Sequence, residues 1–183
     1  MSTRLVILDR DGVIGRDSDF HIRSSDQWHP IDGSLDAISL LTQGGFTVAV
    51  ATNQSGIARG LLDLSALEEI HDKMVLAVSA AGGHIDRIVV CPHGPNEGCD
   101  CRKPAPGLLL QLADHYGISL ASVPFIGDSV RDLAAAQAVG GRAILVRTGN
   151  GRITEAEFGH TEAVEVYEDL FQAARTLLTE RVA

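Results

Sequence analysis

The chain has 183 residues, of which 45% are hydrophobic and 21% are charged. This length suits one domain with a well-buried core and is short for two, so we predict a single domain over residues 1–183. The formal net charge of −9 at pH 7 disfavours binding to nucleic acid or to an anionic membrane surface. Because no apolar stretch is long enough to span a bilayer and no signal peptide is visible, we expect a cytoplasmic monomer.

Short apolar runs alternate with amphipathic segments, which is the pattern of strands and helices in turn. The apolar runs predict strands over residues 4–9, 46–53, 85–91, 123–128, 142–148 and 165–167. The amphipathic segments predict helices over residues 32–45, 64–81, 106–116, 129–139 and 170–182. Ser65, with Glu68 as capping-box partner, is the predicted N-cap of the second helix. The alternation predicts an α/β fold: a Rossmann-like, doubly wound parallel sheet in three α/β/α layers, without a separate cap domain.

Polar residues follow four of the predicted strands. In a parallel α/β sheet, ligands bind in the crevice outside the carboxyl ends of the strands. Each polar feature alone has an ordinary explanation, such as a turn, a helix cap or a solvated lysine. Together they predict one site at that edge of the sheet, made of Asp9, Asp11, Thr52, Asn53, Lys103, Asp128 and Asp132.

Asp9 and Asp11 stand two residues apart, on the same side of an extended chain, so they repel each other when both are charged. A divalent cation relieves this repulsion, and carboxylate oxygens with retained waters suit Mg2+. The same ion draws charge from the oxygens of a phosphate ester, so that a carboxylate can attack phosphorus. The cluster therefore predicts Mg2+-dependent phosphoryl transfer, with a lysine and a hydroxyl holding the other phosphoryl oxygens.

Four segments of the chain resemble the successive motifs of one phosphatase family. They read LDRDGVI, ATNQSGIARG, CRKPAPG and GDSVRD, and they occur in the order and spacing of the haloacid dehalogenase superfamily. The resemblance implies that Asp9 is the nucleophile and that Asp11 is the general acid and base. It implies that Thr52 and Lys103 hold the phosphoryl group.

The resemblance also implies how Mg2+ is held. Its ligands would be the Asp9 carboxylate, the backbone carbonyl of Asp11 and Asp128, with Asp132 as a supporting partner. The chain departs from many relatives at Ser129, where they carry a lysine directly after Gly-Asp. This departure predicts weaker phosphate binding from that side, and it leaves a lysine and an arginine of the CRKPAPG segment as the main cations.

All three cysteines of the chain lie in the segment CPHGPNEGCDCRKP, together with one histidine. Three thiolates and an imidazole are a full tetrahedral set for Zn2+, so we predict a closed structural zinc site of Cys91, His93, Cys99 and Cys101. The alternatives are unrelated reduced thiols, or a Cys99–Cys101 disulfide, which cytosolic proteins rarely carry. With no open coordination position, the zinc would brace the loop that presents the phosphate-binding cations.

Within the superfamily, the cysteine loop resembles the branch that dephosphorylates heptose 1,7-bisphosphate or histidinol phosphate. The segments TNQSGIARG and LVRTGNG favour the heptose reaction, a step toward nucleotide-activated heptose for lipopolysaccharide, and histidinol phosphate is the alternative substrate. A sugar phosphate is thus the expected partner. The phosphate that is not cleaved needs a further cation, for which Arg59, Arg102 and Arg147 are candidates.

Further residues are expected to line the substrate site. Gln54 and Ser55 follow the second strand directly, beside the predicted phosphate-binding threonine. Residues 17–20 resemble a loop that contacts the sugar, and His21 is a minor candidate at the mouth. Trp28 lies on the same long loop, which would cover the site.

Two other classes of protein share part of this set of residues. A phospho-accepting receiver domain also combines an α/β sheet with carboxylates, Mg2+, a threonine and a lysine. Its acceptor aspartate follows the third strand, however, and here that strand ends in Cys91. A catalytically silent zinc-bearing module is the other reading, and the retention of Asp9, Asp11, Lys103 and Asp128 together counts against it.

Overall fold

The computed structural model describes residues 4–18, 21–158 and 163–180, which form one six-stranded sheet with helices on both faces. All neighbouring strands pair in parallel, which confirms the predicted fold class. The strands are β1 (Leu5–Leu8), β2 (Thr47–Asn53), β3 (Arg87–Cys91), β4 (Pro124–Gly127), β5 (Arg142–Val146) and β6 (Val164–Tyr167). The helices are α1 (Ser34–Gln43), α2 (Leu64–Ala80), α3 (Gly107–Tyr116), α4 (Val130–Ala138), α5 (Gly151–Phe158) and α6 (Leu170–Thr179), with a short 3-10 turn at Ser25–Gln27.

Alternate residues of β1 face two separate cores. Val6 and Leu8 belong to the cluster that includes the buried faces of α1, α2 and α6. Leu5 and Ile7 belong to the opposite cluster, with α3 and α4. This period of two explains why an almost purely apolar strand is needed here, because both of its faces are buried.

The strand order is β3-β2-β1-β4-β5-β6. The chain first builds outward from β1 to β3 and then returns to place β4 on the other side of β1. The order therefore reverses between β1 and β4, and at such a switch point a crevice opens beyond the carboxyl ends of the strands. Asp9 and Asp128 follow these two strands directly, so both carboxylates lie at the crevice.

Local predictions differ from the structure at two places. The N-cap of α2 is Asp63, whose carboxylate accepts a hydrogen bond from Ala66 N, so the predicted Ser65 cap is wrong. Helix α5 was not predicted, because it is the shortest of the six helices and its residues are on average the least hydrophobic. Of the loop predicted to cover the site, Asp17, Ser18 and His21 line the pocket at the crevice, whereas the side chain of Trp28 is fully buried in the core on the α1 and α2 side of the sheet.

The described helices were also compared with the length and apolar character that a bilayer requires. None of those helices, within residues 4–18, 21–158 and 163–180, meets both conditions for crossing a membrane.

Candidate active site

The turn after β1 pairs the second carboxylate of the Asp-Arg-Asp segment with the arginine between the two. Asp11 accepts hydrogen bonds from Arg10 Nε at 2.9 Å and from its terminal nitrogen at 2.8 Å, a two-point contact. Arg10 is only 1% exposed. The guanidinium of Arg10 therefore supplies part of the positive charge that relieves the repulsion between Asp9 and Asp11, a charge that the sequence-based prediction assigned to a metal ion alone. In an extended strand Arg10 would point away from both aspartates, because side chains alternate, but the turn brings its guanidinium to Asp11.

A histidine of α2 supports this arginine from behind. Arg10 lies 3.3 Å from His71 Nε2. Burial, together with the positive charge of Arg10, lowers the pKa of His71 to about 4, so the imidazole is neutral and accepts the hydrogen bond. No local pattern in the sequence predicts this contact, since 61 residues separate the two side chains.

Lys103 is buried between two carboxylates at the floor of the crevice. Its Nζ lies 3.0 Å from Asp9 Oδ1 and 2.6 Å from Asp132 Oδ1, and it donates to Ala51 O at 2.9 Å. Burial opposes the charge of Lys103, but the two carboxylates outweigh it and raise its pKa. Burial also raises the pKa of Asp9 well above its usual value, with Asp132 adding to the effect and Lys103 opposing it. The Lys103 ammonium group therefore compensates the charge of two adjacent buried carboxylates, which would destabilise the fold without it.

Two residues at the end of β2 hold the neighbouring loops in place. Asn53 Oδ1 accepts from Lys103 N at 3.0 Å, and Asn53 Nδ2 donates to Lys103 O at 3.1 Å. Gln54 Nε2 donates to Asp11 Oδ2 at 2.9 Å and to Thr52 Oγ1 at 2.8 Å. The amides of Asn53 and Gln54, both predicted to bind substrate, thus already contact the side chains or backbone of other site residues.

Asp128, directly after β4, faces the turn that follows β1. Its Oδ2 accepts hydrogen bonds from Asn150 N at 2.8 Å and Asn150 Nδ2 at 3.2 Å. Burial raises the pKa of Asp128 to about 7, against the hydrogen bonds from Asn150. A Cβ on Gly12 would stand 2.0 Å from Asp128 Oδ2, and one on Gly149 would stand 2.3 Å from the same atom. Both positions therefore require glycine, since any side chain there would collide with the carboxylate.

The first turn of α4 explains the serine that departs from the family pattern. Asp132 Oδ2 accepts hydrogen bonds from Ser129 Oγ at 2.6 Å and Ser129 N at 3.1 Å, which caps the helix. The other oxygen of Asp132 pairs with Lys103. Ser129 therefore orients the carboxylate that supports Lys103.

A pocket of about 310 Å³ joins these groups. Apart from Arg147, the described residues predicted to contact substrate line it, including Asp17, Ser18 and His21 of the loop after β1. Asp19 and Phe20 lie outside the described residues. The pocket is acidic on one side and cationic on the other, where it is lined by Arg59, Arg102 and Arg131. Arg131 was missed, because nothing in its local sequence distinguishes it from a solvated helix residue.

Arg147 does not reach this pocket, so its prediction as a phosphate-binding residue is wrong. Its guanidinium pairs with Glu155 and Glu168, each at 2.6 Å, on the outer side of β5. The pocket lining includes Asn150 from the segment that follows β5, but not Arg147. Arg147 follows β5 directly, and the two glutamates hold its guanidinium away from the pocket.

The three cysteines and His93 converge at the end of β3. Neighbouring ligand atoms are 3.3 to 3.7 Å apart, and all four lie within 4.8 Å of one another. For Zn–S bonds of about 2.3 Å and Zn–N bonds of about 2.0 Å, a tetrahedron has edges of about 3.8 Å between sulfurs and about 3.5 Å between sulfur and nitrogen. The four atoms therefore have the spacing of a tetrahedral metal site. Arg102 donates to His93 O at 3.0 Å, which ties this cluster to the cationic side of the pocket.

Proteins with similar sequences belong to the phosphatase family that the motifs of this site resemble. A family model described as HAD-hydrolase-like matches residues 100–173. The chain is 52% identical over 177 residues to the D-glycero-beta-D-manno-heptose-1,7-bisphosphate 7-phosphatase of Bordetella bronchiseptica, covering 97% of this chain and 99% of that one. It is 53% identical over 175 residues to the protein of the same name from Pseudomonas putida, covering 96% and 99%.

Solved structures of heptose-bisphosphate phosphatases also resemble this chain in fold and in sequence. A crystal structure of the D,D-heptose 1,7-bisphosphate phosphatase from B. bronchiseptica, complexed with magnesium and phosphate, superposes with a TM-score of 0.95 at 52% identity, covering 97% of this chain and 99% of that one. The corresponding phosphatase from Burkholderia thailandensis gives 0.78 at 40% identity, covering 97% and 100%. The chain belongs to the haloacid dehalogenase-like hydrolases, in the family of these heptose-bisphosphate phosphatases. It is a phosphatase, as the sequence motifs predicted.

Proposed function

We propose that this protein removes the 7-phosphate of D-glycero-β-D-manno-heptose 1,7-bisphosphate, a step toward nucleotide-activated heptose. The observation that carries the proposal is the meeting of Asp9, Asp11, Lys103 and Asp128 in one pocket. The relatives that share this chain over almost its whole length bear the name of that reaction. One sheet running through the described residues supports a single domain, which we take to act as a cytoplasmic monomer.

Asp9 is the nucleophile in this proposal. One of its oxygens attacks phosphorus, forming an acyl phosphate while the bond from phosphorus to the C7 oxygen breaks. Asp9 Oδ1 accepts from Arg10 N at 2.7 Å and lies 3.0 Å from Lys103 Nζ, so the carboxylate is held in one orientation. This preorganisation lowers the entropic cost of reaching the attacking geometry.

Asp11 acts as general acid and then as general base. It donates a proton to the departing C7 oxygen, and it later takes a proton from the water that attacks the acyl phosphate, releasing phosphate and restoring Asp9. Arg10 and Gln54 hold the Asp11 carboxylate from two sides. The side chain thus stays aimed at the pocket through both steps.

Mg2+ fits the acidic side of the pocket. Asp9, Asp128 and Asp132 offer oxygens that lie within 4.8 Å of one another. Both oxygens of Asp132 are engaged by Lys103 and Ser129, so we assign the metal to Asp9, Asp128 and the backbone carbonyl of Asp11. When bound, the ion supplies the positive charge that lets an anionic ester approach a carboxylate.

Zn2+ fits the cluster of three cysteines and one histidine. Those four side chains fill a tetrahedron and leave no open position, which is the pattern of structural zinc. The cluster lies next to Arg102 and Lys103 in the chain, and Arg102 donates to the backbone of His93. We assign the zinc to holding this loop, and so to placing the Lys103 ammonium.

Thr52 and Lys103 hold the reacting phosphoryl group, while Ser55, Arg59 and Arg102 contact the rest of the substrate. All five line the pocket. We place the second phosphate of the elongated sugar bisphosphate toward the arginines of this lining.

The deciding experiment is phosphate release from heptose 1,7-bisphosphate, as both anomers, beside histidinol phosphate, with Mg2+ present. We expect kcat/KM to be highest for the β-bisphosphate. A preference for histidinol phosphate would leave the assignment of the catalytic residues in place and refute heptose 1,7-bisphosphate as the substrate. Phosphorylation without turnover would instead favour the receiver-like reading.

A further inference from the structure

The segment between β5 and α5 packs around Asp128. This segment covers residues 147–150, and we call it the β5–α5 turn. Thr148 Oγ1 donates to Gly12 O at 2.6 Å, which joins the β5–α5 turn to the turn after β1. Thr154, in α5, donates from its hydroxyl to Asp128 O at 2.8 Å. The backbone on two sides of the acidic cluster is therefore tied to the same short stretch of chain.

The amide of Asn150, the last residue of the β5–α5 turn, bridges two carboxylates. Its Nδ2 donates to Asp128 Oδ2 at 3.2 Å and to Asp17 Oδ2 at 3.1 Å. A carboxylate only accepts hydrogen bonds, and an amide nitrogen carries two hydrogens, so one nitrogen serves both acceptors. Asn150 thus joins two negatively charged groups without adding a charge of its own.

Both hydrogen bonds from Asn150 to Asp128 reach the same carboxylate oxygen. The backbone N–H of Asn150 donates to Asp128 Oδ2 at 2.8 Å, beside the bond from the side-chain amide. A carboxylate oxygen has two lone pairs, and two donors engage both of them. We therefore take the other oxygen of Asp128, Oδ1, as the one that faces the metal. The donors of Asn150 fix the direction in which this oxygen points.

Asn150 lies at the rim of the catalytic pocket. Its side chain is exposed, whereas Asp128 is buried. Asp17, on the loop after β1, lines the same pocket, and its Oδ1 accepts a hydrogen bond from Ser18 N at 2.7 Å. The Asp17 carboxylate therefore contacts its own loop through one oxygen and Asn150 through the other. In this way one amide connects a buried carboxylate of the acidic cluster with the loop beside the substrate.

We propose that Asn150 is a positioning residue for the magnesium site, and that its amide couples Mg2+ binding by Asp128 to the placement of Asp17. The inference rests on the proposed function, which assigns the ion to Asp9, Asp128 and the backbone carbonyl of Asp11. Asn150 adds no ligand to that set and acts through Asp128. With the bridge in place, the carboxylate is oriented before the ion binds. Without it, binding must also order the carboxylate and the loop, which lowers the affinity.

Calorimetric titration with Mg2+ alone tests the positioning role. For Asn150→Ala we expect the dissociation constant of Mg2+ to rise about tenfold, the low end for partners of metal ligands, because the backbone N–H of residue 150 remains. Asn150→Gln keeps both amide hydrogens and should recover part of the affinity. Arg152→Ala is the matched control, since Arg152 is an exposed residue of the first turn of α5 that pairs with Glu168 and does not line the catalytic pocket.

Hydrogen exchange tests the coupling to the loop. In the wild type and in Arg152→Ala, saturating Mg2+ should slow the exchange of the backbone amides of residues 16–18. In Asn150→Ala, saturating Mg2+ should leave their exchange unchanged, because the connection from Asp128 to Asp17 is missing. Faster exchange throughout α5, combined with a wild-type dissociation constant, would mean that Asn150 only stabilises the helix, and it would overturn the proposal.

The two parts of the proposal can fail separately. A wild-type dissociation constant for Mg2+ in Asn150→Ala would overturn the positioning role. Slower exchange of residues 16–18 with Mg2+ in that variant would overturn the coupling. Asp128→Asn distinguishes these results from a failure of the proposed function. If Asp128→Asn binds Mg2+ as tightly as the wild type, the metal assignment itself is wrong, and this inference is refuted with it.

Discussion

Lys103 and Arg147 each stand between two carboxylates, but in opposite surroundings. The Lys103 side chain is 2% exposed and lies 3.0 and 2.6 Å from its partners. The Arg147 side chain is 24% exposed and lies 2.6 Å from each of its two glutamates. Distances alone do not separate these clusters. Burial does, because a buried charge cannot exchange a lost partner for water, whereas a surface charge can.

The buried cluster around Lys103 and the surface cluster around Arg147 also use their charges for different purposes. In the buried cluster, each group is held by others, which suits chemistry that depends on fixed geometry. In the surface cluster, the ions join α5 to β5 and the segment after β6, and the sequence prediction that Arg147 binds phosphate fails for that reason. The following predictions test this contrast.

The largest expected effect follows from Asp9→Asn. The amide cannot form the acyl phosphate, so phosphate release should fall to the rate seen without enzyme. Burial raises the pKa of Asp9 well above its usual value, so a neutral amide at this site should leave the fold intact. Phosphate release and thermal unfolding measure the two halves of this prediction. Substantial remaining activity would assign the attack to a water molecule.

Lys103→Met should abolish most activity and also destabilise the fold. It leaves Asp9 and Asp132 facing each other in the interior, at a cost of about 3–5 kcal/mol in the free energy of unfolding. The pKa of Asp9 is already raised and should rise further, so the folded state would bind more protons than the unfolded one. The variant should therefore regain stability as the pH is lowered below neutral. Urea unfolding at several pH values tests this, and a pH-independent loss would contradict it.

His93→Ala should have an intermediate effect, because it removes one ligand of the cysteine cluster while leaving the buried charges in place. We expect loss of bound zinc and a fall in kcat/KM of about ten- to hundredfold, the range for groups that position others. His84→Ala is the matched control, since the His84 side chain is 70% exposed and does not belong to the cluster. Elemental analysis and kinetics measure both variants. Normal zinc content in His93→Ala would refute the ligand assignment.

The smallest effect is expected for Arg147→Met. The arginine is near the surface, so its loss should change the free energy of unfolding by less than about 1 kcal/mol and leave activity unchanged. The measurement is the same unfolding experiment used for Lys103→Met. If the free energy of unfolding fell as much as in Lys103→Met, geometry, and not burial, would determine how much each cluster contributes to stability.

Much of the fold could be predicted because its signals are local. Apolar runs and amphipathic segments repeat within ten to twenty residues, so the strand and helix order followed from the sequence, with errors at the start of α2 and at α5. The polar residues at strand ends also share one cause: parallel strands bring their carboxyl ends to one edge. That rule placed Asp9, Thr52, Lys103 and Asp128 together before any distance was known.

The sequence by itself determined which chemical groups are present, in which order, and at which ends of the strands. Only the tertiary structure decided which charges meet. Arg10 turns toward Asp11 and His71, and Arg131 comes to line a cleft with Arg102, because residues far apart in the chain pack into the same place. Electrostatic partnership depends on distance and burial in three dimensions, and neither can be read from spacing along the chain.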